Sequence, residues 1–251
     1  MSGSGPGESP NGEAARHEWL RRARWPEQTL VGKLPERSQA GLLALGGYRE
    51  FVSGAPIMRE GDRTTFVAVL LRGWTKVTAL MDDGGVALLA VRHGGDVVGE
   101  FAGLDAQPRS ATVTAVGSGG VLAKVIRGED FEAYLARDPA AAAEMSRSIV
   151  AKTRFSIRRR VEFAGSPVAV RVARVLVELD RAYGTDGPSG ARALGVSLSQ
   201  QELAALVGAH DPTVHKALRA LRRDKVIETG YRRVTILDMA ALEIAAGLRP
   251  D

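Results

Sequence analysis

Two stretches of the chain hold residue types whose spacing could do chemistry. The first runs Gly99-Glu100-Phe101-Ala102-Gly103-Leu104-Asp105-Ala106-Gln107-Pro108-Arg109-Ser110-Ala111-Thr112-Val113. A glycine at 99 permits close approach of backbone to a ligand. The Glu100 carboxylate can accept from a sugar hydroxyl, and nine residues later Arg109 can pair with an anionic phosphate beside the Ser110 hydroxyl. Together these groups suit a phosphorylated sugar.

The second stretch begins at Ser199-Gln200-Gln201-Glu202, which has the form of a capping box. It opens a helix carrying Leu203, Ala204, Leu206 and Val207, and Gly208-Ala209-His210 supplies a tight turn. Asp211-Pro212 then places a capping carboxylate before a proline at the first helical position, where a missing N–H costs nothing. The helix this starts runs to about Arg223, with an apolar stripe of Val214, Ala217, Leu218 and Leu221. Thr213, His215, Lys216, Arg219, Arg222 and Arg223 fall on its other faces. Val226-Ile227-Glu228-Thr229 and Val234-Thr235-Ile236-Leu237 flank Gly230-Tyr231-Arg232-Arg233, a hairpin wing that carries Arg232 and Arg233 toward a phosphate backbone. Two short helices around a glycine turn, the second basic on its free side, make a winged helix-turn-helix that reads double-stranded DNA. The candidate DNA contacts are Ser199, Gln200, Asp211, Pro212, Thr213, His215, Lys216, Arg219, Arg232 and Arg233.

Charge supports that reading. From Met145 to Arg233 there are 17 Lys and Arg against eight Asp and Glu, so this stretch is +9 and the rest of the +5 chain is −4. A basic C-terminal half is an electrostatic footprint for phosphates. Other chemistry is poorly represented. With no cysteine there is no disulfide, thiolate nucleophile or cysteine-held metal. His17, His93, His210 and His215 are scattered without metal-ligand spacing, and no acid–base pair or nucleophile–base set emerges, so the reading is neither an enzyme nor a metalloprotein.

These groups need elements to position them. At 251 residues the chain suits two modest domains. Residues 1–18 are rich in Gly, Ser and Pro and predict a disordered tail. An amphipathic lead-in follows, with Leu34, Leu42, Leu43 and Leu45 around Pro35. Phe66–Leu71, Trp74–Leu80, Val86–Val91, Thr112–Val116 and Val121–Ile126 are short β-rich runs punctuated by glycines, the pattern of a barrel or double-sheet jelly roll. Asp83-Gly84 marks a hairpin, and the Asp82-Asp83 pair reads as a turn. After Asp138-Pro139 an Ala-rich run without Gly or Pro predicts one long helix to about Phe163, with a rough seam of Met145, Ile149, Ser156 and Phe163. A second helix spans Val168 to about Ala182, and Gly184 to Gly190 reads as a loop.

The Gly-Glu…Pro-Arg-Ser-Ala order and spacing of residues 99–111 resembles the phosphate-binding cassette of cyclic-nucleotide-binding domains. With the helix-turn-helix beyond a long helix, residues 30–240 resemble the cyclic-AMP receptor protein / fumarate-nitrate reductase regulator (CRP/FNR) family of transcription factors. The resemblance implies an α+β fold in four parts. These are the tail at 1–18, a β jelly-roll domain with its helical lead-in at 19–137, a dimerisation helix at 138–164 and a winged helix-turn-helix at 165–251. Separately, no apolar run approaches the roughly eighteen residues of a membrane span and the N-terminus is Gly/Ser/Pro-rich, which predicts a cytoplasmic protein with no membrane association. The resemblance also implies a homodimer acting on duplex DNA and RNA polymerase, with a cyclic nucleotide, cAMP first, as effector. Gly99, Glu100, Phe101, Ala102, Arg109 and Ser110 would hold it, Arg109 and Ser110 on the phosphate, Glu100 on the ribose, and Ser156 of the long helix near the base. Two departures stand out. Ile157 replaces the hydroxyl that often follows the Ser156 position, and Asp211-Pro212 replaces the Arg-Glu start of the receptor protein's recognition helix, so the operator should differ. Two rival readings are a DNA-binding regulator with a vestigial pocket, independent of cyclic nucleotide or tuned by another effector, and a cyclic-nucleotide-binding regulatory subunit acting on a protein partner.

Overall fold

The computed structural model describes residues 23–81 and 84–248, apart from the side chains of residues 160, 162–164 and 189. The expected tail and the Asp82-Asp83 turn lie outside the described residues. Helices α1 (Leu30–Lys33) and α2 (Glu36–Ala44) lead in. The Thr29 hydroxyl caps α1 by accepting from the Gly32 N–H, and Leu30, Val31, Leu34 and Leu42 turn inward.

Eight strands follow: β1 (Gly47–Phe51), β2 (Pro56–Met58), β3 (Val67–Arg72), β4 (Trp74–Leu80), β5 (Val86–His93), β6 (Val97–Val98), β7 (Thr112–Val116) and β8 (Val121–Ile126). The short helix α3 (Glu100–Asp105) sits between β6 and β7. The strands form two antiparallel four-stranded sheets, ordered β1-β8-β3-β6 and β2-β7-β4-β5. Strand β3 shows why its apolar run does not alternate. Val67, Val69 and Leu71 pack outward on the helices, with Leu42, Phe131 and Met145, while Ala68 and Leu70 face the second sheet with Val113 and Ala115. Both faces of the strand are therefore buried.

Helix α4 (Gly128–Arg137) closes this unit and the long helix α5 (Pro139–Gly165) leaves it. Its 27 residues span about 40 Å at 1.5 Å per residue. The expected seam on α5 is corrected. Met145 is 2% exposed in the core of its own β-domain and Ile149 packs on the same cluster. Ser156 turns into a cavity, and the Phe163 side chain lies outside the described residues. Among the described side chains of α5, the large apolar residues left exposed are Val150, Ile157 and Val161, at 50%, 58% and 68%. A heptad-like spacing does not say which neighbour covers it, and here the stripe through Met145 and Ile149 is covered by the chain's own sheet.

Helix α6 (Val168–Tyr183) begins the C-terminal unit and buries the expected Val172, Val175, Leu176 and Leu179. The segment read as a loop contains strand β9 (Gly184–Asp186), which pairs with β10 (Arg192–Leu194) around a 3-10 turn at Pro188–Gly190. Arg192 fixes this hairpin by donating to Asp180 at 2.7 and 2.8 Å and to Asp186 at 2.8 Å. Then come α7 (Gln200–Val207), α8 (Asp211–Arg223), β11 (Ile227–Gly230), β12 (Arg233–Ile236) and α9 (Met239–Ala245), the sheet running β11-β12-β10-β9.

The two units touch through β5. Leu88 and Val91 bury themselves in the cluster of Leu203, Ala204, Leu206 and Val207. The Tyr183 hydroxyl donates to the Val91 carbonyl at 2.6 Å, and the rings of Trp74, His93 and Tyr183 meet with centroids 4.9 to 5.1 Å apart.

Candidate functional site

Gly99 precedes α3 at φ +81°, the left-handed region that favours glycine. A Cβ there would lie 2.6 Å from the Arg109 Nη1 and 2.8 Å from the Met58 Cε, so this position must be bare for the arginine to enter. Arg109 is 3% exposed. Its guanidinium donates to the Thr64 hydroxyl at 3.2 Å, the Gly99 carbonyl at 2.8 Å and the Phe66 carbonyl at 2.5 Å, and lies 4.7 Å from the Phe66 ring centroid. Burial lowers its pKa, opposed by Asp62 and Glu100, yet a guanidinium stays charged in a protein. Three of five N–H groups are used, leaving two for an anion.

Arg109 lines a cavity of about 370 Å³, within the range of small-molecule sites. All seven sequence-predicted ligand residues, Gly99, Glu100, Phe101, Ala102, Arg109, Ser110 and Ser156, line it together. Ala102 is buried, whereas Phe101, Ser110 and Ser156 are exposed. The apolar wall comes from Met58, Val77, Ala90, Val98 and Val113.

Sequence reasoning missed Lys152. From the long helix its ammonium reaches the buried Glu100 carboxylate at 2.6 Å and the Val97 carbonyl at 2.9 Å. The pair joins the cassette to α5 and commits one Glu100 oxygen. No local motif marks it, since the partners are 52 residues apart.

The helix-turn-helix forms as read. The Ser199 hydroxyl accepts from the Glu202 N–H at 3.1 Å, and the Glu202 carboxylate accepts from the Ser199 N–H at 2.7 Å. Gly208 ends α7 at φ +65°. Helix α8 buries Val214, Ala217, Leu218 and Leu221. One detail is corrected: His210 is the cap, with its carbonyl accepting from Thr213 at 3.0 Å, and Asp211 is already helical and makes no side-chain capping bond. Proline therefore falls one position further in, still within the turn that needs no N–H, and the Asp211 charge favours the helix N-terminus as a dipole partner rather than a cap.

Gln200, Pro212, Thr213, Lys216, Arg219 and Arg233 are exposed, Asp211 and His215 half-buried. Arg232, at φ +52°, differs from the expected free wing arginine, because it donates to Glu202 at 3.2 Å. Glu202 also ion-pairs with Lys76 of β4. Burial works against ionisation of Glu202, but hydrogen bonds from Lys76 and Ser199 outweigh it and hold the carboxyl below its ordinary range. Among the described residues, no helix is long and apolar enough to cross a membrane, and no group of acidic and histidine side chains could hold a metal ion.

Residues 48–138 match the model of the cyclic nucleotide-binding domain, and residues 170–244 that of the Crp-like helix-turn-helix domain. The transcriptional regulator LdrP of Thermus thermophilus is 30% identical over 204 residues, 79% of this chain and 96% of that protein. A CRP-like cAMP-activated global transcriptional regulator of Mycobacterium tuberculosis is 27% identical over 193 residues, 77% and 85% of the two chains. Among solved structures, a CRP-family transcriptional regulator of Thermus thermophilus superposes with a TM-score of 0.65 at 25% identity, covering 81% of this chain and 98% of its own. With its jelly-roll cassette, long helix and winged helix-turn-helix, the chain belongs to the CRP/FNR family of transcription factors.

Proposed function

We propose that this regulator is a homodimer that reads duplex DNA with α8 and its wing, under the control of a cyclic nucleotide, cAMP first, held at Arg109. The observation that carries the reading is the buried Arg109 guanidinium, with two uncommitted N–H groups, in a cavity shared by Glu100, Ser110 and the long helix. A buried cation of this kind calls for an anion. Arg109 and Ser110 hold the cyclic phosphate, the second Glu100 oxygen accepts from the ribose, and Ser156 and Lys152 meet the ligand from α5. Two relatives named for cAMP, the Mycobacterium tuberculosis regulator and a cyclic AMP receptor protein of Thermus thermophilus, favour that nucleotide.

The exposed Val150, Ile157 and Val161 give α5 its seam for a second copy. Ligand contact with α5 and with β5 biases the placement of the paired recognition helices in successive major grooves, about 34 Å apart. RNA polymerase is the further partner of such a regulator, and the cytoplasm is where both partners are. The chain has no catalytic role in this reading.

Calorimetric titration of the full chain with cAMP and cGMP tests the ligand half. Saturable binding that Arg109→Ala abolishes is expected; no binding of either nucleotide would leave a vestigial pocket instead.

A further inference from the structure

A second cavity, of about 440 Å³, lies between α1, β5, the long helix and α6, and shares only Ala90, Arg92, Lys152 and Phe155 with the first. Its basic side chains are Lys33, Arg92, Lys152, Arg158, Arg159 and Arg181, against Asp96 and Glu178 as the acids. Four of the six cations have acidic neighbours. Lys152 pairs with Glu100, Arg159 with Glu178 at 3.9 Å, Arg181 with Glu243, and Arg92 feels Asp96. Lys33 of α1 and Arg158 of α5 are exposed and make no ion pair or side-chain hydrogen bond with the described residues. Two uncommitted cations thus reach one cleft from different elements, over an apolar wall of Leu30, Val91, Leu179 and Tyr183.

On α5 the residues lining this cleft are set apart from the exposed Val150, Ile157 and Val161 stripe. At 3.6 residues per turn, Ala151, Phe155 and Arg158 lie roughly a third of a turn away from the Val150–Ile157 stripe.

We propose that this cleft is a second effector site, which takes a phosphomonoester of nucleotide size such as a nucleoside 5′-monophosphate. Such a group carries close to two negative charges at neutral pH, matching Lys33 and Arg158, whereas a cyclic phosphodiester carries one. The base and sugar lie on the apolar wall. Because α6 belongs to the DNA-reading unit and β5 to the jelly roll, the ligand bridges the two. This inference does not rest on cyclic nucleotide binding at Arg109.

Calorimetry on the full chain with 5′-AMP, 5′-GMP, adenosine, inorganic phosphate and cAMP tests it. At least one 5′-monophosphate should bind saturably to the wild type and to Arg109→Ala alike, with adenosine and phosphate each at least tenfold weaker. The double variant Lys33→Glu/Arg158→Glu should weaken the monophosphate at least tenfold and leave cAMP affinity as in the wild type, and Lys33→Gln/Arg158→Gln should give a smaller loss. Both sites are exposed, so melting curves of the double variants should match the wild type. Absence of saturable binding by both monophosphates, undiminished binding in the double variants, or loss in Arg109→Ala alone would overturn the assignment.

Discussion

Lys76, buried on β4, ion-pairs with Glu202, the third residue of the first helix of the helix-turn-helix. The neighbouring residue, Val77, lines the Arg109 cavity. One strand therefore presents one face to the Arg109 cavity and the other to the helix-turn-helix unit, and Glu202 gathers the strand, the start of α7 and the wing at one carboxylate. Replacing Lys76 by Gln keeps the capping box but removes this ion pair between the units, leaving the β5 contacts in place. We expect a loss of about 1–3 kcal/mol in denaturant unfolding, since Glu202 keeps Ser199 and Arg232 as partners. Wild-type stability in Lys76→Gln would show that the pair contributes nothing to docking.

The corrected seam on the long helix separates two substitutions that spacing alone treats as alike. Ile157→Asp should dissociate the dimer, seen by sedimentation, while its jelly roll melts as in the wild type. Met145→Ala should do the reverse, costing about 2–5 kcal/mol of stability through a core cavity with the dimer intact. A monomeric Met145→Ala with unchanged stability would reverse the assignment.

Lys216 and Arg219 are exposed on α8 and make no ion pair with the described residues. Removing either by alanine should weaken operator binding, and if the contact is to phosphate the salt dependence should flatten by about one unit of slope. Mobility shifts over a salt series measure both, and equal affinity and slope in all three proteins would exclude α8 as the reading helix.

His93 brings a pH dependence to the interface between the units. Burial against Trp74 and Tyr183 pushes it below its ordinary value near 6.5, with Arg92 acting in the same sense and Asp96 opposing. The unfolded chain then binds this proton at higher pH than the folded one, so the contribution is complete above about 6.5 and is lost as pH falls through the lower folded value. Unfolding at pH 7.5 and 5.5 should show a loss in the wild type that His93→Gln reduces. Identical pH profiles would show that His93 does not couple stability to pH.

Local signals were the legible ones. The Ser199–Glu202 box, the Gly208 turn and the Val214–Leu221 stripe are each specified within one helix, and the structure reproduces them. The cassette residues converge because Gly99, Glu100 and Arg109 sit on one short connection between β6 and β7. What was not legible depends on distant packing. No local motif marks Lys152 or Lys76, because their partners Glu100 and Glu202 lie 52 and 126 residues away in the chain. Met145 and Val150 are equally apolar in sequence, and only docking on the β-domain decides which faces outward. Strands such as β2, β6, β9 and β10 have two or three residues, too few to show a period.

In the proposed function a ligand at Arg109 governs DNA reading by α8. Arg109→Ala leaves a ligand phosphate without its buried partner, a loss of about 3–5 kcal/mol in binding. Its most direct test is the affinity for a duplex selected from a random pool, measured for the wild type and Arg109→Ala with and without saturating cAMP. Adding cAMP should tighten the complex of the wild type and leave that of the variant unchanged. An equal response in both proteins, or none in either, would contradict it.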